Sequence, residues 1–239
     1  MPHICGTPGQ QREEERWRGT EQKRVALLEQ AREEYRQECD AREVETAAAN
    51  GELDTLIGGV QTGADAAIQE YVGIVLGNSV YPEMLSVKHE FDFDSKLKEL
   101  ELTVLISRPD QLPAEKAYKW AKAQDEVTAT MLSAKDLKAR YASVVHQVTL
   151  RTVHEIFEAD RAGHINTIAL SVATEANDAA TGQHKRTTLA AVAAERASFV
   201  DFDLSNVVPL ATLQHLGASM SKSPYDLVGI DGTPGVRSR

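Results

Sequence analysis

Hydrophobic and polar positions divide the chain into stretches of different period. From Gln11 to Ala49 apolar residues are sparse: Val25, Leu28, Ala31, Tyr35 and Cys39 form a thin stripe among Glu and Arg, which predicts a long charged helix with most of its faces solvated. Asn50-Gly51 is a turn signal that ends this arm, and a second helix is expected from about Ala64 to Leu76, closed by Pro82. Between Val87 and Ile106 the period falls to two. Val87, His89, Phe91 and Phe93 alternate with charged residues, Leu100, Leu102, Val104 and Ile106 follow in the same way, and Asp94-Ser95-Lys96 supplies the turn of a β-hairpin with one wet face.

The period returns to 3.6 from about Lys135 to Ala162. Ser133 stands where an N-cap is needed, and Leu137, Tyr141, Val144, Val145, Val148, Thr152, Ile156 and Ala159 share one face of the predicted helix, with Gly163 at its end. A strand over residues 165–178, a loop around Gly182 and a return strand over residues 185–194 predict a second hairpin. A short helix capped at Ser205 and ending at Gly217 completes the order. The pattern is that of an α+β protein: a long N-terminal helical arm, then two antiparallel β-hairpins forming a sheet packed on a long central helix. The expected organisation is a disordered start over residues 1–10, the arm over 11–49, the α+β domain over 50–220 and a loose tail over 221–239.

Composition narrows the functional classes. At 239 residues the chain is long enough for one sizeable core and an appendage. A net charge of −10 means that any contact with nucleic acid is local, and 5% aromatic content counts against a stacking platform for bases. Two cysteines, Cys5 and Cys39, make neither a disulfide framework nor a metal motif and fit a reducing cytoplasm. No run is long and apolar enough for a membrane span, and no secretory leader is visible, so the expected protein is soluble and cytoplasmic.

Candidate chemistry is thin. Asp178, Gln183 and Lys185 resemble the acid and Gln-x-Lys of a metal-dependent nuclease, but they fall in or beside a hairpin loop, whereas that chemistry needs ligands converging from different central strands. Pro109 and Pro113 break the similar fragment SRPDQLPAEKAYK. Asp92 and Asp94 lack a third ligand. His154, Glu158 and His164 fall short of a His-Glu-x-x-His zinc helix, and His154 with Glu158 reads as an i,i+4 pair. The run LIGGVQTGAD lacks the Lys-Ser/Thr ending of a phosphate loop. These readings leave no catalytic residue, no metal site and no cofactor. The remaining electrostatic feature is a basic cluster, Lys116, Lys119, Lys122, Lys135, Lys138 and Arg140, which is the candidate contact surface for double-stranded DNA.

The run RYASVVHQVTLRTVHEIFEADRAGHI from Arg140, the loop containing Asp178, Ala180, Thr181 and Gly182, and the later DLSNVVPLATLQHLGASMSKSP resemble the region upstream of the nuclease in bacterial Mrr-type restriction-system proteins. NSVYP at Asn78 to Pro82, the Phe-x-Phe hairpin and the QLP turn extend the resemblance over roughly residues 34–224. It implies an α+β fold, a DNA-cutting site in a separate C-terminal domain, and a role in DNA defence without catalytic residues in this region. The expected partners are double-stranded DNA, through the basic cluster, and a separate nuclease subunit. The alternatives are a divergent metal-dependent endonuclease, and a protein that dimerises through residues 11–46 with no nucleic-acid role.

Overall fold

The computed structural model describes residues 8–122, 125–178 and 181–230. The chain divides into two units, Met1–Leu56 and Ile57–Arg239. The first is helical. Helix α1 spans Pro8–Thr62, and none of its side chains is buried. Ion pairs within it, Arg18 with Glu14 at 2.8 Å, Arg24 with Glu21 at 2.6 Å and Arg36 with Glu33 at 2.6 Å, lie one turn apart, as the charge pattern predicts. Helix formation begins at Pro8, inside the segment expected to be disordered; residues 1–7 lie outside the described residues.

The turn expected at Asn50-Gly51 does not form, and α1 runs on to Thr62. Good helix formers flank the pair, and a single Gly costs a helix only about 1 kcal/mol, too little to end one alone. The break comes instead at Gly63, whose φ of 73° suits glycine. Gly59, one turn earlier, meets α2 (Asp65–Gly77) so closely that a Cβ there would stand 2.6 Å from the Ala67 Cβ.

The second unit is built on a five-stranded sheet ordered β1 (Val87–Asp94), β2 (Glu99–Ile106), β5 (Thr167–Asn177), β6 (His184–Glu195), β7 (Ser219–Met220). Both predicted hairpins are present, and β2 runs parallel to β5 with Leu100, Leu102 and Val104 level with Ile168, Leu170 and Val172. A parallel pair needs a crossover. Here it consists of an antiparallel ribbon, β3 (Glu115–Ala121) with β4 (Glu126–Met131), followed by α3 (Ala134–Ala159). Ser133 caps α3, its Oγ accepting from the Asp136 N–H at 3.2 Å. The predicted stripe on α3 packs with Ile68, Val72 and Leu76 of α2 and with the inward residues of β2, β5 and β6 into one core.

Two further expectations fail locally. Ser205 does not cap the last helix: it bonds Asp203 through N and Oγ, and α5 (Pro209–His215) begins at a Pro, whose missing N–H suits a first helical position. The tail is packed as far as it is described. Ser221 and Pro224 are buried, the Ile230 N–H donates to the Thr188 carbonyl at 3.0 Å, and residues 231–239 lie outside the described residues.

Candidate nucleic-acid interface

The six basic candidates fall on two neighbouring elements. Lys116 and Lys119 are exposed on β3, and Lys122 follows it at the ribbon tip. Lys135, Lys138 and Arg140 occupy the first two turns of α3. Two of the six are committed to the fold. Lys138 Nζ lies 2.6 Å from Asp226 Oδ2 and, with Ser223, holds that carboxyl below its ordinary value. Arg140 donates to the carbonyls of Pro113 at 2.7 Å and Glu115 at 3.3 Å, pinning the base of the ribbon to α3. Lys116, Lys119, Lys122 and Lys135 remain exposed.

The ribbon is the element the periodicity analysis missed. Its signal is short, with Tyr118 and Trp120 in one strand and Val127, Ala129 and Met131 in the other, each at period two. The register pairs Tyr118 with Ala129 and Trp120 with Val127, so these residues share one face; Lys119, Thr128 and Thr130 share the opposite one. Nearly every ribbon residue is exposed on both faces.

The nuclease-like residues are brought together only as a turn. Lys185 Nζ approaches Asp178 Oδ2 to 4.0 Å, the Asp178 Oδ1 accepts from the Thr181 N–H at 3.0 Å, and the backbones of Asp178 and Gln183 bond at 2.8 Å. Asp178 thus closes the β5–β6 hairpin. Ala180 lies outside the described residues. Asp94 has the same duty at the first hairpin, where its Oδ1 accepts from the N–H groups of Lys96 and Leu97. His154 and Glu158 pair at 3.2 Å as read. Among the described residues no group of three or more His, Cys, Asp or Glu side chains is placed to hold a metal, and no helix is long and apolar enough to cross a membrane.

Sequence reasoning also missed an apolar cleft of about 390 Å³ between the Tyr81–Leu85 segment and α3, with Arg151 and His154 on its wall. Beside it Glu155 accepts from Ser79 Oγ at 2.5 Å and Arg151 Nε at 2.6 Å, and the Arg151 guanidinium lies 4.7 Å from the centre of the Tyr81 ring. Ser79 and Glu155 lie 76 positions apart in sequence. Burial lowers the pKa of both His89 and His146 and raises that of Tyr81.

No protein-family model, curated protein or solved structure matches this chain.

Proposed function

We propose that this chain is a non-catalytic recognition module of a restriction-type DNA defence system, which contacts duplex DNA through the β3–β4 ribbon and leaves cutting to a separate nuclease subunit. The observation that carries the reading is the ribbon itself. It is a two-stranded element with Lys119, Thr128 and Thr130 on one face and further lysines at its base and tip. A two-stranded ribbon fits the major groove, and Lys and Thr are side chains that read base edges there. With a net charge of −10, the four exposed lysines have to supply the phosphate contacts locally.

Fluorescence anisotropy with a labelled duplex at several salt concentrations tests this. Four phosphate contacts give a log-log salt slope of about −3.6, and Lys119→Gln with Lys122→Gln reduces its magnitude by about 1.8, since each contact contributes about 0.9. No binding at low salt, or a slope the double variant leaves unchanged, removes DNA from the account.

A second reading, an interaction protein that dimerises through residues 11–46, is favoured by one observation: Val25, Leu28 and Tyr35 of α1 are exposed along one stripe.

A further inference from the structure

The β3–β4 ribbon has one face that water does not suit. Tyr118, Trp120, Val127 and Met131 are 69%, 52%, 61% and 57% exposed, they lie together by register, and among the described residues no other element covers them. A two-stranded ribbon standing alone is at best marginally stable in water, and it gains stability when an apolar face is packed. Side chains of this kind gathered on one patch mark an interaction surface.

We propose that this face packs against the same face of a second copy of the chain, the two ribbons lying antiparallel about a two-fold axis. The charges favour an identical partner. The ribbon base carries Glu115 and Lys116, and its tip carries Lys122, Asp125 and Glu126. In an antiparallel arrangement the base of one ribbon lies beside the tip of the other, so Lys116 meets Asp125 while Glu115 meets Lys122. A two-fold contact requires a self-complementary patch of this kind. Nucleic acid matches this face less well, because its two ends would set Glu115 and Asp125 beside phosphates. The four side chains offer roughly 500 Å² of apolar surface per copy, below the ~800 Å² per partner of a standard interface, so the association is reversible. The opposite face, with Lys119, Thr128 and Thr130, stays open. The pairing stands whether or not that open face meets DNA.

Cross-linking in the full-length chain tests the proposal. In a Cys5→Ser, Cys39→Ser background, Ala129→Cys places a thiol near the centre of the apolar face, and Thr128→Cys places one on the opposite face. A short bis-maleimide is expected to link at least about tenfold more dimer from Ala129→Cys than from Thr128→Cys, and Val127→Cys provides a second thiol on the apolar face. Adding Trp120→Ser should abolish the difference. Equal linking from both faces, or none from the apolar face, overturns the proposal. In a Trp17→Phe background the Trp120 emission should shift to the blue as protein concentration rises; a shift that needs added oligonucleotide identifies nucleic acid as the occupant and overturns it too.

Discussion

At the scale of single residues, one ion pair ties the end of α3 to the end of β6. Asp160, 6% exposed, ends α3 by accepting from the N–H groups of His164 at 3.1 Å and Ile165 at 2.8 Å. Its Oδ2 also pairs with Arg196, which donates to the carbonyls of Ile165 at 2.8 Å and Phe157 at 3.1 Å and lies over the Phe157 ring. Asp160→Ala leaves a partly buried guanidinium without its counter-charge and two N–H groups without an acceptor. We expect a loss of about 3–5 kcal/mol in a urea titration, with α3 retained. A loss under about 1 kcal/mol would show that Arg196 is satisfied by its two carbonyls alone. Tyr141 contributes in a similar way: burial pushes its phenol up to about 12, and its hydroxyl donates to the Ser107 carbonyl at 2.9 Å.

Among the elements, α1 and the ribbon stand out because, in the described residues, no side chain of either is fully buried. Most helices owe their stability to tertiary packing. One that is polar nearly all round relies on its i,i+3 and i,i+4 pairs or on a partner. If residues 11–46 dimerise, helicity followed at 222 nm rises with protein concentration, and Leu28→Glu with Tyr35→Glu removes that dependence. Helicity that does not vary with concentration would show that the ion pairs are sufficient. The readout reports helix alone, so it is separate from any pairing of the β3–β4 ribbon. Helix α3 is the opposite case. Its stripe and its Ser133 cap were legible in the sequence, because a wide apolar face and a capping side chain are local signals; its end was not, since α3 stops at Ala159 with Asp160 as its cap, short of the expected Ala162 and Gly163.

Stability of the whole molecule is tied to pH through two histidines. Burial lowers the pKa of His89 and His146 below the ordinary 6.5, and Glu155 offsets part of the effect on His89. Below about pH 6.5 the unfolded chain then binds more protons than the folded one, so stability is fully present above that pH and is lost as pH falls toward the lowered values. The urea midpoint should fall between pH 7 and pH 5.5, and His89→Gln with His146→Gln should flatten the change. A midpoint that falls equally in the double variant would assign the effect to other groups. The carboxyls held below their ordinary values, Glu90 beside Arg186 and Asp226 beside Lys138, act at lower pH and leave this window clear.

The sequence by itself determined the α+β class, both hairpins and the central helix, because periodicity, turn chemistry and capping act within a few residues. It did not determine where α1 ends. That depends on Gly63 and on the close approach of Gly59 to Ala67, a contact no local pattern records. Nor could it show that β2 and β5 run side by side in parallel, since strand order is decided by how the crossover folds back on the sheet. The lysines were legible as a cluster in the chain, but only the tertiary structure divided them. Lys138 went to Asp226, 88 positions away, and Arg140 to the carbonyls of Pro113 and Glu115, while Lys116, Lys119 and Lys122 were left on a ribbon whose residues are exposed. Charge can be counted along a sequence, but which charges remain free depends on the partners that folding brings within bonding distance.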